Sequence, residues 1–309
     1  MLQKENPMIR YYLGIDGGGT KTAFRLEGEG NGEEALKELT LGAGNPNDIG
    51  MDACLALLSE GIGKVCDGID LAEVSAFAGI AGYASGDNGV KIDRHLKSLG
   101  FGTVRGGSDF ENALALSRMM AGDEVVAIIA GTGSVAYSLH GGKRKMTGGL
   151  GYMLDSVGSA FYIGREGLVA AFKAMDGRGD ATALTALCEE KLGMPLASSI
   201  AKIYQGGKPF IASFAPLVFE AARMGDAPAM DVIDRNGRGM AELIETALKP
   251  FGDRETPVVI AGGLCHESDM LDKSIRKYIG PEQTIIYTVE PMVKGCVFLA
   301  RELALDTPF

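Results

Sequence analysis

Tryptophan is absent from these 309 residues, and histidine occurs only as His95, His140 and His266. So few imidazoles, spread so widely, argue against multi-histidine metal sites and histidine-driven hydrolysis. Five cysteines (Cys54, Cys66, Cys188, Cys265, Cys296) are scattered without a CxxC pair. That spacing is neither a disulfide framework nor a zinc site, and it suits a reducing cytoplasm. Basic charge is in the minority, 30 Lys and Arg against 40 Asp and Glu, for a net charge of −10 and an isoelectric point near 4.9. A nucleic-acid partner calls for the opposite balance, and an anionic membrane repels this one. No long hydrophobic run exists either. Val125–Ala130 is far too short to span a bilayer, and the amino-terminal MLQKENPMIRYYLG has no apolar stretch of signal-peptide length. These absences predict a cytoplasmic chain that meets neither nucleic acid nor membrane.

What is present is ordinary in bulk and specific in detail. With 46% hydrophobic and 23% charged residues the chain reads as globular, and its length predicts two domains. Residues 10–27 read as two strands joined by a glycine turn at Asp16-Gly17-Gly18-Gly19. Helical spacing of Ile49, Cys54, Leu55, Leu58 and Ile62 predicts a helix over 48–65. Val74–Ala81 predicts a buried strand, Ile92–Leu99 a helix, and Gly106-Gly107 a turn before a helix over 109–120. This alternation predicts an α/β fold with mixed sheets.

The pattern then restarts. Val125–Ala130 is a buried-strand candidate, Gly131-Thr132-Gly133 a turn, and Ser134–Leu139 a second strand. Laid over each other, GGGTKTAFRLEG (17–28) and AGTGSVAYSLHG (130–141) share four of twelve positions. That is too little identity to establish duplication, but the order of strand, glycine turn and strand is the same in both. It predicts an amino-terminal domain over 1–120 and a carboxy-terminal domain over 121–309. Residues 159–250, rich in Ala, Leu, Met and Glu, read as a helical insertion in the second. Pro257–Ala261 and Thr284–Thr288 are further strands, and a last helix at about 292–305 can pack on the first domain.

Three glycine turns and one carboxylate carry the chemistry. Gly17, Gly18 and Gly19 let backbone amides approach phosphate oxygens unobstructed, while Thr20 adds a hydroxyl and Lys21 a cation. Asp16, at the strand end, suits a water-mediated Mg2+ ion. Thr20 stands between Gly19 and Lys21 and the chain continues as strand, so this is neither a Walker A loop nor a dinucleotide fingerprint. A plain hairpin turn needs fewer glycines and no Thr-Lys-Thr after them. Gly131, Thr132, Gly133 and Ser134 form a second turn of phosphate size. Gly262-Gly263, after Pro257–Ala261, offers bare backbone on which a purine ring can lie, although a simple strand-to-helix turn uses the same residues. Asp109 opens a helix and fits a base that accepts a hydroxyl proton. Aspartate there is often only a cap, but Ser108 and Glu111 already form the capping box S-x-x-E.

The stretches GIDGGGTKT (14–22), GNPNDIG (44–50), SDFENAL (108–114), AGTGSVAY (130–137), GGLGYML…GSAFYIG (148–164) and AGGL (261–264) together resemble the N-acetylglucosamine kinase group. Its wider set includes the ATPase activators of 2-hydroxyacyl-CoA dehydratases and benzoyl-CoA reductases, all within the actin-like ATPase superfamily. The resemblance implies two ribonuclease-H-like domains with an ATP cleft between them. It implies ATP phosphate contacts at residues 17–21 and 131–134, and adenosine contacts at Gly262 and Gly263. It implies a catalytic base at Asp109 and sugar contacts at Asn45, Gly149, Leu150 and Ser156. The implied reaction is phosphorylation of an amino sugar at its 6-hydroxyl, with ATP and Mg2+, by a kinase whose helical insertion can form a homodimer surface.

Two departures bear on the acceptor. Leu150 stands where the group has tryptophan, and Ser156-Val157 where it has an acidic pair, with Asp155 one place early. Hydroxyls in place of carboxylates admit a substituted or anionic sugar, so N-acetylmuramic acid joins N-acetylglucosamine and glucosamine as candidates. The cysteine motif of the dehydratase activators is missing, as are the zinc-cysteine cluster and DNA-binding helices of ROK proteins. An ATPase that drives a partner protein, and a sensor that binds without turnover, are the rival readings.

Overall fold

The computed structural model describes residues 8–30, 32–252 and 255–305. Residues 1–7, the first half of the amino-terminal stretch discussed above, lie outside them. No described helix is long and apolar enough to cross a membrane.

The described residues fall into two compact units, one running to Gly122 and resuming at Glu290, the other spanning Asp123–Val289. The first holds β1 (Tyr11–Gly17), β2 (Thr22–Gly28), β3 (Ala35–Leu41), α1 (Pro46–Ile49), α2 (Met51–Val65), β4 (Val74–Ile80), α3 (Asn88–Ser98), β5 (Thr103–Ser108) and α4 (Asp109–Ala121). The second holds β6 (Val125–Ala130), β7 (Ser134–His140), β8 (Lys143–Gly148), α5 (Ala160–Met175), α6 (Leu184–Leu192), α7 (Leu196–Ala212), α8 (Ala215–Arg223), α9 (Ala227–Leu248), β9 (Val258–Ala261), α10 (Ser268–Ile275) and β10 (Ile285–Thr288). The last helix, α11 (Val293–Ala304), belongs to the first unit.

Each unit is built on one five-stranded sheet, ordered β3-β2-β1-β4-β5 in the first and β8-β7-β6-β9-β10 in the second. In both, the first three strands form an antiparallel meander, and the first strand also pairs in parallel with the fourth, which pairs in parallel with the fifth. One topology used twice is the structural counterpart of the repeated strand–turn–strand pattern. β4 is buried along its length and β6 at every residue but Ile129, as the mostly apolar runs VSAFAGI and VVAIIA demand of strands covered on both faces.

Glycines let α11 seat closely on the first sheet. A side chain at Gly14 would begin 2.6 Å from the Val293 carbonyl, and Gly295 lies against the α4 backbone at Asn112. Ser75 Oγ donates to the Ala300 carbonyl at 2.6 Å, and Arg118 makes two 2.8 Å bonds to Glu302. In the second unit α5–α9 bury Phe214, Phe219, Val232, Met240 and Ile244 against the strands and one another.

Three sequence expectations need correction. Gly106 and Gly107 do not form a turn; they lie inside β5, in register with Ala78 and Gly79 of β4. They are small because neighbours crowd them: a side chain at Gly106 would begin 2.5 Å from Asp93 Oδ1, and one at Gly107 2.6 Å from the Phe77 ring. The helix expected over 48–65 is two helices, α1 and α2, interrupted at Gly50 with φ 85°. The sheet-edge strands β3 and β8 were not anticipated at all.

Candidate active site

In the first unit, β1 carries Leu13 and Ile15 into the core and delivers Asp16 to its carboxyl end. Gly17 must be bare, since a side chain there would begin 2.6 Å from Ile80 Cδ1. The turn that follows is held at its base: Gly18 N–H donates to the Lys21 carbonyl and Gly44 N–H to the Gly18 carbonyl, both at 2.9 Å. Thr22 Oγ1 donates to the Gly42 carbonyl at 3.0 Å. Gly19, Thr20 and Lys21 are exposed, and among the described residues their amides have no backbone acceptor. A turn pinned at its base, with exposed residues whose amides lack a backbone acceptor, is chemically suited to an anion.

Asp16 is anchored from behind. Asn112, fully buried on α4, donates Nδ2 to Asp16 Oδ1 at 2.6 Å and to the Gly79 carbonyl at 3.1 Å. Gly79 must be bare because a side chain would strike the Asn112 amide. Loss of water raises the Asp16 carboxyl to about 6; the Asn112 bond opposes the rise, the charge of Asp109 adds to it, and Lys21 opposes it. Asn112 Oδ1 is buried without a partner.

Asp109 is the first residue of α4. The capping box is in place: Ser108 N–H donates to Glu111 Oε1 at 3.2 Å, and Glu111 Oε2 accepts from Arg105 at 3.0 Å. Asp109 itself is exposed. Partial desolvation moves its carboxyl above the ordinary aspartate value, opposed by the amides of Phe110 and its own residue. The influence of its charge on Asp16 puts both carboxylates in one electrostatic neighbourhood. Asn45 caps α1, accepting from Asn47 N–H at 3.0 Å and donating to Asp48 at 2.8 Å, beside Gly82.

In the second unit the β6–β7 turn repeats the arrangement. Gly131 N–H donates to the Gly133 carbonyl at 3.0 Å and Ala160 N–H to the Gly131 carbonyl at 2.8 Å, leaving the Thr132 and Gly133 amides without a backbone acceptor among the described residues. Ser134 is buried, its hydroxyl donating to the Val157 carbonyl at 2.5 Å. Gly262 has φ 127°, and a side chain there would begin 2.6 Å from the Ala130 carbonyl. Gly131, Thr132 and Gly263 line one cavity of about 450 Å³, together with Pro209 of α7, Ser213 just after it and Phe219 of α8. The second glycine turn and the glycine pair therefore share a pocket. Gly149 has φ 75°. Leu150 is 65% exposed, whereas Ser156 is only 8% exposed and lies beneath the loop surface.

The donor set can be tested against a divalent ion. Among the described residues no three His, Cys, Asp or Glu side chains cluster as a metal cage. A hard ion that keeps most of its water, bound through one or two carboxylates and substrate phosphate, needs no cage, and Asp16 fits that role.

A family comparison now decides the assignment: the profile of the BadF/BadG/BcrA/BcrD ATPase family matches residues 13–297. The chain belongs to the BadF/BadG/BcrA/BcrD ATPase family. It is 28% identical to the N-acetylmuramic acid/N-acetylglucosamine kinase of Clostridium acetobutylicum over 95% of this chain and 99% of that one. A solved structure from Chromobacterium violaceum, described as a candidate N-acetylglucosamine kinase, superposes with a TM-score of 0.74 at 22% identity, covering 95% of this chain and 100% of that one. A ROK glucokinase from Streptomyces griseus, solved with glucose and AMPPNP, gives 0.62 at 18% identity, with 96% and 99% covered. The fold is that of the actin-like sugar kinases.

Sequence reasoning overlooked Asn112. Its signal was available: it sits three residues after Asp109, one turn along the same helix.

Proposed function

We propose that this protein is an ATP-dependent kinase that phosphorylates an amino sugar of the N-acetylglucosamine, glucosamine or N-acetylmuramic acid type at its 6-hydroxyl. The observation that carries the reading is Asp109: an exposed carboxylate released from capping, placed so that its charge acts on Asp16 beside a turn of free amides. The names of the curated relatives support the acceptor class.

In this reading ATP phosphates accept hydrogen bonds from the free amides of residues 19–21 and 132–133, and adenosine occupies the pocket at Gly263. Mg2+, when bound through Asp16 and water, offsets phosphate charge. Asn45, Gly149 and Leu150 contact the sugar. Asp109 aligns the 6-hydroxyl and accepts its proton late, as the γ-phosphoryl group leaves the β-phosphate oxygen for the sugar oxygen. A carboxyl held above its usual value by desolvation is a better late acceptor than a solvated one. Products are ADP and the sugar 6-phosphate, with the proton passing from Asp109 to water. We place the reaction in the cytoplasm, where ATP is available.

A coupled ADP-release screen over amino sugars, muramic derivatives and neutral hexoses, with a no-sugar control, tests this. Release should require an amino sugar. Equal release without sugar favours the partner-driving ATPase instead.

A further inference from the structure

We propose that Lys208 is a phosphate-binding residue of the nucleotide site, its ammonium group meeting the polyphosphate chain of ATP at the β6–β7 turn. The inference deepens the kinase reading and rests on it for the identity of the ligand.

The backbone around Lys208 is shaped to expose it. Helix α7 breaks at Gly207, with φ 62° and ψ −160°, and carries Pro209 two residues on. A proline removes an N–H and clashes with the carbonyl of the preceding turn, so an unbroken helix does not run through this segment. Only glycine tolerates that φ at 207, and a side chain at Gly206 would begin 2.5 Å from Phe210. The run Gly206-Gly207-Lys208-Pro209 therefore swings the lysine out of the helical ladder.

It swings towards the second glycine turn. Lys208 Nζ lies 3.5 Å from the point where a side chain on Gly133 would begin. Its ammonium also stands over the Tyr152 ring, 5.7 Å from the centroid, which limits where the flexible side chain can point. No carboxylate among the described residues pairs with it, although the chain has ten more acidic than basic groups. Beside it, the amides of Thr132 and Gly133 also lack a backbone acceptor. A cation and two free N–H groups around bare backbone form a site that only an anion completes. The neighbouring residue, Pro209, lines the cavity shared by Gly131, Thr132 and Gly263. A nucleoside in that cavity extends its phosphates past Pro209 onto the turn, where Lys208 meets them.

The competing role for Lys208 is structural, as a bracket that steadies the 149–155 loop through Tyr152. Titration calorimetry with ADP and with adenosine, on wild type, Lys208→Met, Lys208→Arg and Tyr152→Leu, separates the two. Lys208→Met should weaken ADP by about 10-fold or more, the loss of one charge-assisted contact, while leaving adenosine affinity and melting temperature unchanged. Lys208→Arg should restore most of the ADP affinity, and in turnover the KM for ATP should rise in Lys208→Met with the sugar KM unmoved. Unchanged ADP binding in Lys208→Met overturns the proposal. So does an equal loss for adenosine, a Tyr152→Leu variant that reproduces the effect, or a wild type that binds no ADP. Binding is read without sugar, so failure of the acceptor screen and failure of this assignment are separate results.

Discussion

Replacing Asp16 with asparagine separates the requirement for folding from the requirement for binding. In the folded chain this carboxyl titrates at about 6 instead of 3.8, chiefly because protein atoms have displaced its water. A proton held more tightly by the folded than the unfolded chain stabilises the folded state at low pH; that stabilisation is complete below 3.8 and is lost as pH rises through about 6. At neutral pH the protein therefore keeps an ionised carboxylate in a poor solvent. At about 1.4 kcal/mol per pH unit over that interval, the cost is about 3 kcal/mol. Asn112 can donate to an asparagine oxygen as it does to the carboxylate, so Asp16→Asn removes the cost without orphaning the donor. Urea unfolding of the nucleotide-free proteins should show Asp16→Asn more stable by about 1 to 3 kcal/mol near neutral pH, with the advantage roughly halved by about pH 5. Magnesium-dependent ADP affinity should fall sharply in the same variant. A variant no more stable than wild type at neutral pH, or an advantage that grows on acidification, refutes the reasoning.

Asp109→Ala should keep ADP binding and lose transfer by about 10²- to 10⁴-fold in kcat, read in the coupled assay. The pH profile of kcat/KM for ATP should fall below about 6 as Asp16 takes up its proton. Asn112→Ala removes the hydrogen bond that favours the ionised form, and should move that acid limb upward by about one pH unit. Gly262→Ala forces a side chain against the Ala130 carbonyl at an unfavourable φ; it should cost about 2 kcal/mol or more in thermal unfolding and weaken adenosine binding.

Much of this architecture was legible because the buried strands announce themselves. VVAIIA and the apolar half of YYLGIDG have one plausible fate, and the glycine turns that follow mark where each strand stops. The edge strands were not legible for the converse reason. β3 alternates around Lys37 and Glu38, and β8 opens Lys143-Arg144-Lys145, all exposed; charge on an edge discourages further pairing and also erases the apolar signal. Gly106-Gly107 misled because a glycine pair reads as a turn, when its smallness here answers to Asp93, Tyr83, Phe77 and Glu111. The two glycine turns after β1 and β6, and the capping box of Ser108 and Glu111, could be read from spacing alone. Asn112 was legible only in part: its place one turn after Asp109 can be read, but the carboxylate it supports comes from a distant strand and leaves no local pattern. Lys208 was hidden likewise, because its environment comes from a turn about seventy-five residues earlier in the chain.

The most direct test is the fate of the γ-phosphoryl group. Phosphorus NMR with carbon correlation should follow protein, ATP and magnesium incubated with N-acetylglucosamine or N-acetylmuramic acid. The account predicts a phosphomonoester on carbon 6 of the sugar, formed with ADP in equal amounts and absent with Asp109→Ala. Inorganic phosphate as the only product, released at the same rate whether or not a sugar is present, contradicts it.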